Sequence, residues 1–305
     1  MFIWAIYAVI ARLFLAASNV IDQYIARAFG GRRIMGAIVL QNFTALVSVI
    51  LIGIFNGVPL NVDSDTTFWI DVGVIAALFS MFPYLKAMKE EEPNHVMALF
   101  QTMPLILIGL AFGLNHEVMS LPQLACAVAM AVGGFCFFWD FKGKGIKPLA
   151  ALLVIGSALL YAVYYLVLRY AGTKAANPLD ILWMIDCGFF VSSLVMMVIY
   201  PRAIGSIKAA LASSRGKILP LELLNGLLIR FAAICAIMGL TMAPTAGHFA
   251  AFAGLLPLFT FAIGAGVSAL FPVQYLRIET HKALAVKLIL AAVIAAGGVG
   301  LVLLP

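Results

Sequence analysis

The sequence predicts an all-α integral membrane protein, with ten transmembrane helices in two inverted five-helix repeats. Three observations lead there. Hydrophobic residues fill 64% of 305 positions and charged residues only 10%, with a mean hydropathy of +1.10. A soluble domain needs about a quarter charged residues to cover its surface, so this surface faces lipid. The apolar residues also fall into ten runs of the length, ~20 residues, at which a helix crosses a hydrocarbon core. Finally, patterns in the first five runs recur in the last five.

The predicted spans run in order from the N-terminus. Spans 1 to 5 are Phe2–Ile25, Ile34–Phe55, Phe68–Ala87, His95–Leu114 and Leu121–Trp139. Spans 6 to 10 are Pro148–Tyr170, Pro178–Tyr200, Leu219–Thr241, His248–Leu270 and Ala283–Leu304. The N-terminus lacks the basic n-region of a cleaved signal peptide, so span 1 is expected to be retained. Connectors are short except Pro201–Ile218, which carries Arg202, Lys208, Arg215 and Lys217 and is expected to form a surface helix. Cys126, Cys136, Cys187 and Cys235 all lie in apolar runs without metal-ligand spacing, and read as small packing residues.

The repeat divides the chain into residues 1–141 and 148–305. His95 stands nine residues before Pro104 and His248 nine before Pro257, an offset of 153. Leu114–Glu117 corresponds to Leu276–Glu279, and Gly133-Gly134 to Gly297-Gly298 at an offset of 164, so about ten residues are inserted around Ala269–Tyr275. Five spans per half is an odd number, which forces the halves to enter the membrane in opposite directions, as in many secondary transporters.

Orientation follows from the basic residues. Fifteen of the nineteen Lys and Arg lie in connectors after odd-numbered spans or at the span ends beside them, two likewise at connectors after even-numbered spans, and Arg12 and Arg230 deep inside spans. The connector after span 2 instead holds Asp63, Asp65 and Asp71. The positive-inside rule makes the odd connectors cytoplasmic and both termini external. The net charge of +6 therefore marks orientation in a plasma or inner membrane. No basic face with interleaved aromatics points to nucleic acid.

The order and spacing of several segments resemble the EamA type of the drug/metabolite transporter superfamily. They are Ser18–Tyr24 with Asn19 and Asp22, Ala98–Pro104 with Gln101, Glu117–Gly134 with Gln123, and Phe252–Phe259 around Pro257. The resemblance covers essentially the whole chain. It implies a small-solute carrier, often an exporter, whose central cavity is lined by spans 1, 3, 4, 6, 8 and 9. The same resemblance implies cytoplasmic termini, against the charge count.

Candidate site residues come from polar groups in apolar runs. Arg12, Asp22, Asp186 and Arg230 are singled out because an ionisable group in the bilayer centre costs about 2.5–3.5 kcal/mol and so faces a cavity or a partner. At 1.5 Å per residue, Arg12 and Asp186 lie roughly 15 and 12 Å deep, with Arg230 near mid-membrane. An Arg12–Asp186 or Arg230–Asp186 pair that only fixes packing is the bland alternative. One acid cannot neutralise two arginines, so the other is expected to meet an anionic group of the solute, with Arg230 the better candidate. Asn19 shares a helix face with Asp22. Pro104 and Pro257 interrupt spans 4 and 9 at matching positions, where a carrier's site and hinges are expected. Gln101 lies one turn before Pro104. Tyr84 and the Tyr161, Tyr164, Tyr165 group would suit a gate or a stacking wall. His95 and His248 read as interfacial residues at helix starts. Gly133-Gly134 and Gly297-Gly298 should permit close helix contact.

Signatures of an ATP-binding loop, a zinc protease or a serine hydrolase are absent, so neither catalysis, metal nor cofactor is expected. A membrane-embedded enzyme or a non-transporting scaffold or receptor is the alternative class. The former would need clustered carboxylates or histidines at one depth.

Overall fold

The structure, a computed structural model, describes residues 2–29, 34–59, 62–91, 93–139, 146–174, 177–214, 216–270 and 281–304. Every regular element among them is helical, and ten stretches are long and apolar enough to cross a bilayer. Spans 1, 3 and 5 are the helices Ile3–Phe29, Ser64–Glu90 and Leu121–Phe138. Spans 6, 7, 8 and 10 are Pro148–Lys174, Pro178–Ile199, Ile218–Met242 and His281–Leu303. The surface helix expected after span 7 is present as Arg202–Ser213, whose Ile207 and Ala210 pack on Ile25, Leu40 and Ile218. The matched Leu276–Glu279 segment lies outside the described residues.

Three spans are interrupted. Span 4 is Pro93–Phe100 followed by Met103–Asn115, with the break at Gln101 and Thr102. Span 9 is Ala246–Ala251, a 3-10 turn Phe252–Leu255, then Leu256–Leu270. In each the break directly precedes the proline, which has no amide hydrogen to continue the ladder and clashes with the carbonyl four residues back. Span 2 breaks at Thr44 between Ile34–Phe43 and Ala45–Phe55, without a proline; the Thr44 hydroxyl donates to its own helix at the Gln41 carbonyl, 2.6 Å away. Such back-bonding bends helices.

Helices in lipid gain nothing from hydrophobic exclusion, so they associate through close packing of small residues. The most extensive contacts are span 1 with span 8 and span 3 with span 6. Between spans 1 and 8, a Cβ on Gly239 would stand 3.3 Å from Tyr7 Cβ, and Phe14 stacks on Phe231 with ring centroids 5.7 Å apart. Ser157 of span 6 donates across the other contact to the Ser80 carbonyl at 2.7 Å. Span 5 packs on span 10, where Gly133 and Gly297 leave room for the facing side chains. A Cβ on Gly133 would stand 2.7 Å from Ile294 Cγ1, and one on Gly297 2.8 Å from Met130 Cγ. The 3-10 turn of span 9 also lies on span 5, since a Cβ on Gly254 would meet the Met130 carbonyl oxygen at 2.5 Å.

Candidate functional site

A cavity of about 230 Å³ lies among spans 1, 2, 3, 6, 7 and 8. Span 1 presents Leu15, Ser18, Asn19 and Asp22, spacings of three and four that keep them on one helix face. Spans 2 and 3 add Gln41, Asn42, Ala77 and Met81. Tyr161, Tyr164 and Tyr165 of span 6 form an aromatic wall, with ring centroids 5.3 to 5.9 Å apart. Span 7 contributes Asp186 and span 8 Arg230.

Arg230 Nε and Asp186 Oδ1 form an ion pair at 3.2 Å. The arginine left without a carboxylate is therefore Arg12, not Arg230 as the sequence suggested. Arg12 is 2% exposed and donates from Nη1 to the Tyr165 hydroxyl at 3.2 Å. Its guanidinium carbon stands 5.6 Å from the Tyr165 ring centroid and 5.1 Å from that of Phe249, while Nε and Nη2 have no hydrogen-bond partner. Ring faces attract a desolvated guanidinium by about 2 kcal/mol or more, which partly replaces an anion.

Of the residues singled out from sequence, Asn19, Asp22, Tyr161, Asp186 and Arg230 line this cavity, and Arg12 stands behind Tyr165. Tyr84 and Gln101 do not line it. The Tyr84 hydroxyl donates to Met97 Sδ at 2.9 Å and its ring packs on Phe100. Gln101 is buried at the span 4 break, where a Cβ on Gly134 would lie 3.1 Å from its Oε1. Spans 4 and 9, expected in the wall, contribute nothing to it and spans 2 and 7 replace them. The cause is packing order, because span 4 lies behind span 6 and span 9 behind span 1. Pro104 and Pro257 are accordingly buried among helices. His95 and His248 are buried too, rather than interfacial. His95 packs on Trp139 and His248 on Trp4, and His248 Nδ1 is 2.8 Å from the Thr245 hydroxyl.

The two ends of the cavity differ. Toward the odd connectors its lining includes half-buried Asn19, Asp22, Gln41 and Met81, while toward the even connectors Leu168 and Leu182 are buried. Beyond them, on the even-connector side, lies a network that sequence reasoning missed. Arg169, in the last turns of span 6, pairs with Glu117 at 2.6 Å and donates to the carbonyls of Leu240, Ala243 and Pro244. Glu117 accepts from the Ala246 amide at 2.6 Å. One arginine thus satisfies carbonyls orphaned at the C-terminus of span 8, and one carboxylate caps the N-terminus of span 9, each charge matched to the helix end it meets. On the same side Asn56 Nδ2 donates to Asp180 Oδ1 at 2.7 Å and the Tyr170 hydroxyl to Asp65 at 2.5 Å.

One further acid and one amide were also missed. Glu222 and Asn225 are buried in the first turns of span 8, and Asn225 Nδ2 donates to Asp22 Oδ1 at 2.6 Å. Their spacing of three within an apolar run was the available signal.

No protein-family model and no curated protein matches this chain. Among solved structures, one described as "Crystal structure of protein" superposes with a TM-score of 0.70 at 14% identity, covering 97% of this chain and 94% of that one. At that identity the likeness is one of fold alone.

Proposed function

We propose that the chain is a secondary carrier of small organic solutes, built from two inverted repeats and working by alternating access. The observation that carries this reading is the cavity itself. It sits within the membrane span between helices of both halves, polar and half-buried at one end and closed at the other. The contact pattern supports the repeat. Exchanging each span for its counterpart turns the span 1 contact with span 8 into that of span 6 with span 3, and these are the two largest in the molecule. It also turns the span 4 contact with span 6 into that of span 9 with span 1. The breaks of spans 4 and 9 fall at matching positions, as half-helices at a transporter's repeat interface do.

The resemblance to drug/metabolite transporters of the EamA type agrees with a carrier. With the odd connectors cytoplasmic, as the distribution of Lys and Arg favours, the cavity faces the cytoplasm and the Arg169–Glu117 network closes the external side. The solute we expect is small, with a flat apolar part against the tyrosine wall and polar groups toward Asn19, Gln41 and Asn42.

The experiment has two stages. Purified protein is screened for thermal stabilisation by metabolites, since a ligand bound only to the folded state stabilises by mass action. Each stabilising solute is then tested for counterflow in proteoliposomes. Saturable counterflow supports a carrier; stabilisation accompanied by chemical conversion supports a membrane enzyme, and stabilisation without flux a receptor.

A further inference from the structure

The charges of the cavity do not balance at its odd-connector end. Asp22 lines the cavity, and beside it stand Glu222, 1% exposed, and Asn225, 0% exposed. Asn225 donates Nδ2 to Asp22 Oδ1 at 2.6 Å and stands one helical turn from Glu222, on which the charge of Asp22 acts. Glu222 Oε2 and Asn225 Oδ1, both fully buried, have no hydrogen-bond partner. Two acceptor oxygens are thus held, unpartnered, directly behind Asp22, the member of this cluster that lines the cavity.

Among the described residues, the cation whose charge reaches this pair is Arg230, and it acts on Glu222 less strongly than Asp22 does. Arg230 is eight residues beyond Glu222, ~12 Å along the helix, and is engaged by Asp186 at 3.2 Å. Arg12 is ten residues before Asp22, ~15 Å away along the helix. From the neighbouring elements, span 2 presents uncharged Gln41 and Asn42 and span 3 uncharged Met81, while Tyr84, near enough to feel the charge of Asp22, donates its hydroxyl to Met97 Sδ. On the connector helix Arg202 and Lys208 are exposed, as is Lys217 just before span 8. Two carboxylates brought together out of water, with no cation paired to either among the described residues, repel one another and lose their solvation. Such a group in a membrane marks an ion or proton pathway.

We infer that Asp22, Glu222 and Asn225 form a binding site for one small monovalent cation, H+ or Na+, entering from the odd-connector end. The inference rests on the carrier reading of this cavity, for which that cation is the coupling ion. Spans 1 and 8 form one of the two most extensive contacts between the halves among the described residues, the other being that of spans 3 and 6. Neutralising the acids between spans 1 and 8 thus removes a repulsion from a contact that alternating access must rearrange.

The test uses the purified full chain in nanodiscs with no solute present. In one arm, infrared difference spectra between acidic and alkaline sodium-free buffer follow the carbonyl stretch of a protonated carboxyl. In the other, equilibrium binding of radiolabelled Na+ is measured at alkaline pH. Wild-type protein should give one of two signals: a titrating carboxyl band for H+, or saturable binding of one Na+ per chain. That signal should be lost in Glu222→Gln and at least halved in Asp22→Asn. The wild-type arms suffice to overturn the idea if a variant fails to fold. A carboxyl band that never changes with pH, together with no saturable Na+ binding, makes Glu222 a structural acid. A signal that survives in folded Glu222→Gln places the cation elsewhere. Neither arm uses a solute, so cation binding without any solute flux would sink the carrier reading and leave the site standing.

Discussion

Arg12 donates to the Tyr165 hydroxyl at 3.2 Å across 153 positions of chain, the separation that also relates His95 to His248 and Pro104 to Pro257. On the two-repeat reading proposed above, a residue meets its counterpart only beside the axis relating the repeats, and this contact fits such an axis between spans 1 and 6. The position is one where a polar contact is costly to break. Tyr165→Phe leaves a buried guanidinium with ring faces as its remaining partners, and should lower stability by about 1–3 kcal/mol. Adding Arg12→Met removes the stranded charge and should recover much of that loss. Denaturation in mild micelles measures both. A double variant no more stable than Tyr165→Phe would show that the guanidinium is satisfied elsewhere.

The Arg230–Asp186 pair should behave as a unit. Asp186→Asn strands a second guanidinium in the bundle and should cost about 3–5 kcal/mol. Exchanging the two residues, Asp186→Arg with Arg230→Asp, keeps the pair and should restore folded protein. Equal yields for the single and the exchanged variant would mean that the contact contributes nothing to the fold.

Gly254 gives a packing test of the interrupted span 9. A Cβ there would lie 2.5 Å from the Met130 carbonyl oxygen, which is backbone and cannot swing aside, whereas one on Gly109 meets nothing within 4 Å. Gly254→Ala should therefore cost about 1–3 kcal/mol by overpacking. Gly109→Ala should be neutral or slightly stabilising. Thermal unfolding of the two variants decides it, and equal midpoints would refute the close approach of span 9 to span 5.

Orientation has a direct readout. The charge bias favours a C-terminus outside the cytoplasm, so on this reading a fluorescent reporter that matures only in the cytoplasm should stay dark when fused there. Inserted between Gly205 and Ser206 of the connector helix, the same reporter should be bright. The reverse pattern would favour the orientation implied by the family resemblance, and would turn the open end of the cavity outward.

The ten spans, the Arg202–Ser213 helix and the breaks before Pro104 and Pro257 were legible because each depends on local hydropathy or on proline covalent geometry. The cavity wall was not. Which arginine Asp186 takes depends on how spans 1, 7 and 8 are rotated, and a list of depths leaves Arg12 and Arg230 equivalent. Spans 2 and 7 line the cavity because spans 4 and 9 pack behind spans 6 and 1, an ordering that hydropathy does not encode. Glu222 and Arg169 lay near span ends, where charges are ordinarily solvated; the contacts that bury them come from helices far away in sequence.

The Arg169–Glu117 network is the feature whose breakage should change the accessible side of the cavity. It ties span 6 to the C-terminus of span 8 and, through Glu117, to the N-terminus of span 9. In alternating access these elements separate when the even-connector side opens. Removing the tie should shift the population toward the open state, and losing ~1.4 kcal/mol shifts a two-state ratio tenfold. A cysteine at Leu182, 1% exposed beneath the network, reports that state in a background where the four native cysteines are replaced by alanine. An impermeant thiol reagent added on the even-connector side should label Leu182→Cys roughly tenfold faster when Arg169→Gln is also present. Glu117→Gln should have a smaller effect in the same direction, because the carbonyl contacts of Arg169 survive it. Thermal midpoints distinguish opening from unfolding, since a shifted equilibrium leaves cooperative melting intact. Unchanged labelling in folded Arg169→Gln would show that the network holds helix ends together without gating the cavity.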